Sequence, residues 1–362
     1  MKTDAEYMDR ALELAERGRG RTSPNPMVGA VVVRDDGAVV GEGFHARAGD
    51  AHAEVRALDE AGNLARGATL YCTLEPCCHV GRTGPCVARI VSAGIRKVVA
   101  ALDDPNPLVS GQGFEYLRRR GVEVEIGIGQ IRAARMNRVY LTFIRRGRPF
   151  IILKAATSLD NRVAERRGAR TRLTSVESRR HAHGVRAEAD AIAVGSETVL
   201  VDDPLLTVRA VRRDRPLVRV LFDRRLRTSP AARVFSTLEA GPIMIMTTPD
   251  EIARHPERAR SLQKAGACLE PIEEGNLRAA VRRLAESQIT SLVLEGGPEL
   301  QAAACAEDIV DAVHLYLAPV TIGASGVPWL DVGTVSIAGL DDRRVIPCGP
   351  DVFMEGYVYR PH

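Results

Sequence analysis

Six residues in the first quarter of the chain have types and spacing that suit hydrolytic metal chemistry. His52 and Glu54 stand two positions apart, and about twenty residues later Leu74-Glu75-Pro76-Cys77-Cys78-His79 is followed by Cys86. One imidazole and two thiolates hold zinc in three of its four tetrahedral positions and leave the fourth for water, which the metal makes acidic enough to be hydroxide near neutral pH. Such a nucleophile attacks an amidine-like ring carbon. The departing amine must then be protonated and the water deprotonated, which a carboxyl such as Glu54 can do. Spacing alone leaves both Cys77 and Cys78 open as the ligand. Pro76 favours Cys77, because the fixed ring sets the approach of the chain into the turn. Taken singly, Cys72 and Cys78 read as small buried hydrophobes and His79 as a loop residue. Four of the seven cysteines fall within fifteen residues, a clustering that points to metal or catalysis before disulfides.

The elements that must position this set follow from periodicity and turn chemistry. Thr3 with Glu6 forms a capping box ahead of Met8, Ala11, Leu12 and Ala15 at helical spacing. After the turn-forming Ser23-Pro24-Asn25-Pro26, the runs 28–33 and 38–40 flank Asp35-Asp36-Gly37 as a hairpin. A helix begins near His52, a strand spans 68–72, a helix spans 87–93 and a strand spans 97–101. Helix 111–120, strand 122–126 and one longer helix 131–146 then lead to Gly147-Arg148-Pro149, read as a boundary. Beyond it, apolar strand runs at 150–155, 191–194, 217–222, 242–246 and 291–294 alternate with helical stretches that include 179–188 and 277–287. That alternation predicts an α/β domain with a mainly parallel sheet.

The second half carries weaker chemical signals. Lys154, one of only four lysines, is placed at the end of a strand before Thr157-Ser158-Leu159-Asp160. Gly195-Ser196-Glu197-Thr198 precedes Val201-Asp202-Asp203-Pro204 and Arg209, and the last strand runs into Glu295-Gly296-Gly297-Pro298. The backbone N–H groups of that last turn could hold a phosphate. The Gly-x-Gly-x-x-Gly signature of the common dinucleotide fold is absent, so spacing gives no more than a phosphate-binding α/β domain.

Charge narrows the partners. Residues 1–147 hold 21 basic against 18 acidic side chains and residues 148–362 hold 29 against 28, so neither half has the basic excess of a dedicated nucleic-acid binder. No apolar run approaches the roughly 18 residues of a membrane span, and the N-terminus shows no secretory pattern. The expectation is a cytoplasmic enzyme of a small molecule, with no nucleic-acid or membrane partner. Self-association into a homo-oligomer is left open.

Four stretches carry a resemblance: Pro24-Asn25-Pro26-Met27-Val28-Gly29, His52-Ala53-Glu54-Val55, the segment from Leu74 through Val80-Gly81-Arg82-Thr83-Gly84-Pro85 to Cys86, and Asp103-Asp104-Pro105-Asn106-Pro107. Together they resemble the bifunctional deaminase-reductase family of bacterial riboflavin biosynthesis, over essentially the whole chain. Zinc nucleobase deaminases commonly space their thiolates two residues apart; the eight residues between Cys77 and Cys86 are a mark of this family. The resemblance implies an N-terminal cytidine-deaminase-like three-layer α/β/α domain over 1–147 and a dihydrofolate-reductase-like α/β domain over 148–362. It implies zinc ligands His52, Cys77 and Cys86, Glu54 as proton shuttle, and Asn25, His45, His79 and Arg82 against the pyrimidine ring or the ribose phosphate. In the second domain it implies NADPH contacts at Ala156, Thr198, Asp202, Gly297, Pro298, Glu299, Leu300, Gln301, Ala302 and Ala303. Substrate contacts are implied at Arg186, Leu206, Arg209 and Glu295, with Lys154 as an anchor or proton donor. The implied reaction is deamination of a phosphorylated diaminopyrimidine, then NADPH reduction of its ribosyl group to ribityl.

The chain departs from that family in two places. Arg170-Thr171-Arg172 stands where members have Ser-x-Trp, and Asn161 stands where they have glycine. Arg162, Arg166, Arg167, Arg170 and Arg172 then form either a grip on the cofactor's extra phosphate or a solvated loop, with the loop preferred. The departure motivates an alternative in which only the deaminase works and the second domain is a degenerate reductase serving as a binding or scaffold module.

Overall fold

The computed structural model describes residues 2–79, 84–273, 275–330 and 339–358, and the chain divides into two compact units, Met1–Gly147 and Arg148–His362. Arg82 lies outside the described residues.

In the first unit, α1 (Asp4–Glu16) starts on a complete capping box: Thr3 accepts from the Glu6 N–H while the Glu6 carboxylate accepts from the Thr3 N–H. Strands β1 (Gly29–Val33) and β2 (Val39–Phe44) form the hairpin, followed by α2 (Ala53–Ala61), β3 (Thr69–Cys72), α3 (Cys86–Ser92), β4 (Lys97–Ala100), α4 (Gln112–Arg119), β5 (Glu123–Ile126), α5 (Gln130–Met136) and α6 (Arg138–Arg146). The sheet order is β2-β1-β3-β4-β5, with β1 antiparallel to both neighbours and β3, β4 and β5 parallel.

Strand β1 is buried along its whole length because both sheet faces are covered. Ala30 and Val32 point into a core with Ala57, Leu58, Ile90 and Leu117, whereas Val31 and Val33 point into one with Met8, Leu12, Met136 and Leu141. Three layers result, with α2, α3 and α4 on one face and α1, α5 and α6 on the other. Gly41 and Gly43 let α2 lie directly on β2, since a Cβ at either would stand 2.1 or 2.2 Å from the Ala57 or Ala53 carbonyl oxygen.

The single helix expected over 131–146 is two. Asn137, 2% exposed, separates α5 from α6 with φ −99° and ψ 20°. Its side-chain oxygen accepts the Met27 N–H at 2.9 Å, and its amide nitrogen donates to the Met27 carbonyl at 2.9 Å. A buried side chain that serves the backbone of a distant loop overrides local helix continuity.

The second unit contains β6 (Phe150–Ser158), β7 (Arg162–Ala164), α7 (Val176–Glu188), β8 (Ala191–Gly195), α8 (Ser196–Asp202), β9 (Val218–Phe222), β10 (Ile243–Thr247), α9 (Pro249–Arg254), α10 (Pro256–Lys264), β11 (Ala267–Pro271), α11 (Leu277–Glu286), β12 (Ser291–Leu294), α12 (Pro298–Ala306), β13 (Ala312–Ala318), β14 (Val327–Pro328), β15 (Asp341–Cys348) and β16 (Asp351–Tyr357). Nine strands form one sheet in the order β11-β10-β9-β8-β12-β6-β13-β16-β15. Pairing is parallel from β11 through β13, and β16 and β15 close the sheet as an antiparallel hairpin. Sequence reading placed Lys154 at a strand end, but β6 continues four residues past it to Ser158, where β13 pairs with it in register. The buried Arg148 forks onto Asp311 at 2.5 and 2.8 Å, fixing the entry of β6 beside the start of β13.

Candidate functional site

The first site forms where three chain segments meet. His52 is the N-cap of α2, in extended conformation, and Glu54 follows in the first turn, 3% exposed. Cys86 opens α3, and its backbone N–H points at the Cys77 sulfur at 3.4 Å. The His52 Nδ1 lies 3.3 Å from the Cys86 Sγ and 3.5 Å from the Cys77 Sγ, and all three donor atoms fall within 4.8 Å of one another. A tetrahedral zinc with ordinary Zn–N and Zn–S bonds sets nitrogen and sulfur about 3.6 Å apart, so the donor set fits that ion in both chemistry and spacing. Hydrogen bonding from Cys86 and His52 outweighs burial and holds the Cys77 thiol well below its ordinary range. Burial, together with the adjoining Cys77 sulfur, raises the Glu54 carboxyl above the usual range, which suits a group that must carry a proton.

Around this centre, the Asn25 amide nitrogen lies 3.1 Å from the His45 Nε2, and the His45 ring meets the His52 ring edge-on at 5.4 Å. The buried Nδ1 of His79 has no hydrogen-bond partner among the described residues. Sequence reasoning gave Glu75 no role. Its carboxylate, 3% exposed, accepts four backbone N–H groups: Asp104 at 3.2 Å and Gly111 at 2.9 Å on Oε2, Gly113 at 2.9 Å and Phe114 at 3.2 Å on Oε1. Gly113 is needed there because a Cβ would stand 2.2 Å from the Pro76 carbonyl oxygen. The loop after β4 is thereby fastened under the turn that presents Cys77.

The second site gathers at the carboxyl ends of the adjacent parallel strands β8, β12 and β6, where open α/β sheets bind ligands. Arg186, in the last turn of α7, grips Glu295 with two hydrogen bonds of 2.6 and 2.7 Å, and the Lys154 Nζ stands 3.6 Å from the same carboxylate. Burial alone would raise Glu295, but Arg186 and then Lys154 outweigh it and hold the carboxyl down to about 2. Lys154 also lies over the Tyr316 ring, 5.4 Å from its centre. Thr198 and Asp202 lie on α8, Leu206 and Arg209 on the segment that follows, and Ala156 on β6.

Gly297 caps α12 and Pro298 opens it, while Leu300 packs over Gly296 so closely that a Cβ there would meet it at 2.6 Å. Gln301 is buried, and its amide serves the interior: it donates to the Lys154 carbonyl at 2.8 Å and accepts the Trp329 indole N–H at 2.5 Å. Glu299 is exposed and meets Arg167 at 3.3 Å, Ala302 is exposed, and Ala303 is half-buried. His183, another residue without an expected role, accepts the Arg209 backbone N–H at its Nδ1.

Residues 1–102 match the family model of the cytidine and deoxycytidylate deaminase zinc-binding region, and residues 149–354 match that of the RibD C-terminal domain. Fold and sites therefore define an α/β enzyme of two parts, a cytidine-deaminase-like zinc deaminase followed by a dihydrofolate-reductase-like, NADPH-dependent reductase. The chain is 42% identical over 339 residues to the riboflavin biosynthesis protein RibD of Aquifex aeolicus, spanning 94% of this chain and 92% of that protein. It is 41% identical to the RibD of Escherichia coli over 96% of this chain and 98% of that one. Among solved structures it resembles Acinetobacter baumannii RibD, with a TM-score of 0.86, 36% identity and 99% of each chain covered. A further similar structure, from Thermotoga maritima, is a diaminohydroxyphosphoribosylaminopyrimidine deaminase/5-amino-6-(5-phosphoribosylamino)uracil reductase, with a TM-score of 0.82, 32% identity, and 98% and 99% covered. The chain belongs to the RibD family, the bifunctional deaminase-reductases of riboflavin biosynthesis. Nothing in these findings favours the deaminase-only alternative.

Proposed function

We propose that residues 1–147 deaminate 2,5-diamino-6-(5-phosphoribosylamino)pyrimidin-4-one and that residues 148–362 reduce the ribosyl group of the product with NADPH. The observation that carries the reading is the meeting of His52, Cys77 and Cys86 beside a buried Glu54. Zinc held by those three ligands supplies an acidified water. Glu54 holds the proton that the attacking water gives up and passes it to the amino group, which leaves as ammonia while a ring carbonyl forms. Asn25, His45, His79 and Arg82 orient the ring and its ribose phosphate.

In the second unit Ala156, Thr198, Asp202 and the turn from Gly297 through Ala303 would hold NADPH, which would supply the hydride that the sugar C1 takes up. Arg209 suits the phosphate by charge and fork geometry, and Arg186, whose fork is taken by Glu295, adds a positive charge nearby. Lys154, held beside Glu295, is placed to give a proton to the ring oxygen released as the sugar opens. The phosphorylated pyrimidine is the small-molecule partner. No described helix is long and apolar enough to cross a membrane. We assign the protein to the cytoplasm, where a reducing environment keeps the Cys77 and Cys86 thiols free to hold metal.

Two measurements on the purified chain test this. Glu54→Gln is expected to lower ammonia release about 10²–10⁴-fold while zinc content stays at the wild-type level; retained turnover places the proton shuttle elsewhere. With the deaminated substrate supplied, wild-type protein is expected to oxidise NADPH, read at its absorbance band. No oxidation at saturating cofactor removes the reductase assignment.

A further inference from the structure

The segment after α8 that carries Leu206 and Arg209 is bent in a way side chains resist. Leu206 has φ 53° and Ala210 has φ 67°, the left-handed region that residues other than glycine seldom adopt. Such backbone persists when its surroundings over-determine it. Two side chains of α7, one turn apart on the same face, fasten the stretch between those residues. Arg186 donates from Nη1 to the Thr207 carbonyl at 3.3 Å, and His183 accepts the Arg209 backbone N–H on Nδ1 at 3.2 Å. The second bond requires an unprotonated Nδ1. His183 is 9% exposed, and burial, with Arg186 and Arg209 beside it, keeps the imidazole neutral down to about 4.

We propose that His183 is a positioning residue of the reductase site: its neutral Nδ1 holds the Arg209 backbone, so that the Arg209 guanidinium is presented to the substrate phosphate. This rests on the reductase reading of the second unit. Arg209 is exposed, so its place depends on how the segment beneath it is held. A backbone bond to a rigid helix supplies that place, while the Glu295 grip fixes Arg186 independently. The histidine thereby ties the segment that carries Arg209 to the helix that carries Arg186.

The test uses the full chain with His183→Phe, which keeps the ring volume and removes the acceptor, and His183→Asn, whose side-chain oxygen can stand near the Nδ1 position. Unchanged deaminase activity reports that the first unit is intact, and an unchanged KM for NADPH reports that the second unit, which carries His183, is folded. In wild type the Arg209 amide should exchange slowly with solvent; His183→Phe should lose that protection and His183→Asn should keep most of it. For the reductase, His183→Phe should raise the KM for the phosphorylated aminouracil about tenfold, the size of one lost hydrogen bond, with kcat within about threefold and the KM for NADPH unchanged. His183→Asn should recover most of the loss. Unchanged Arg209 exchange in His183→Phe overturns the proposal, as does lost protection with an unchanged substrate KM. A wild-type chain that never oxidises NADPH overturns the reductase reading and the proposal with it. Wild-type turnover together with an unaffected His183→Phe overturns the proposal alone.

Discussion

Replacing Glu75 by Gln removes one charge and changes no shape, yet it should be among the more damaging single substitutions in the first unit. Each carboxylate oxygen accepts two backbone N–H groups, Asp104 and Gly111 on one and Gly113 and Phe114 on the other. A glutamine must put its NH2 at one of those positions, and flipping the amide exchanges one pair of opposed donors for the other. Two charge-assisted bonds are lost in either orientation, at about 1.5–3 kcal/mol each, for a total of about 3–6 kcal/mol. For a domain of this size, at about 3 °C per kcal/mol, the melting point should fall by about 10–20 °C. Calorimetry of the full chain, with zinc release followed by a chromogenic chelator to identify the transition of the metal-bearing unit, gives the readout. Glu115→Gln is the control, because Glu115 is exposed and pairs with the exposed Arg119 one turn away; it should shift melting by no more than about 2 °C. A drop below about 3 °C for Glu75→Gln refutes the view that this carboxylate carries the loop.

The second site and the histidines give two further expectations. Glu295→Gln removes the carboxylate charge that faces the half-buried Arg186 and Lys154; NADPH oxidation should fall more than tenfold in kcat/KM while ammonia release stays at the wild-type level, and equal losses in both assays count against a local role. His183 and His314 are both held down to about 4, chiefly by burial, against about 6.5 in an unfolded chain. Below pH 6.5 the unfolded state therefore takes up more protons than the folded one, so stability is full above that value and declines as the pH drops toward 4. Urea midpoints measured from pH 8 to 4 should show that decline, shallower in His314→Gln, and a flat profile over the window contradicts it.

Local chemistry made much of this architecture readable in advance. The Thr3 and Glu6 box, the Asp35-Asp36-Gly37 turn and the strand at 291–294 announce themselves through neighbours in sequence. A metal site was legible for a similar reason, since clustered thiolates beside an imidazole have few other uses, although spacing left Cys77 and Cys78 both open and the full set His52, Cys77 and Cys86 came from the family resemblance. The hairpin of β15 and β16 was not, because β15 is an edge strand whose Arg343, Arg344 and Val345 are exposed and show no apolar alternation. Strand β6 was read short because Lys154 interrupts its apolar run, and the charge is matched by Glu295, 141 positions away. Glu75, Asn137 and His183 escaped for one shared reason: each bonds to the backbone of a remote stretch, and a backbone amide carries no residue-type signal.

The bond pair between Asn137 and Met27 bears on where the catalytic half may be cut. The match to the zinc-binding region stops at residue 102, thirty-five positions short of Asn137, while Met27 sits two residues from Asn25. A fragment trimmed to that match would keep His52, Cys77 and Cys86 but lose this latch on the loop after α1, the four N–H groups that hold Glu75, and the helices α4 to α6. A minimal working deaminase therefore has to run through α6.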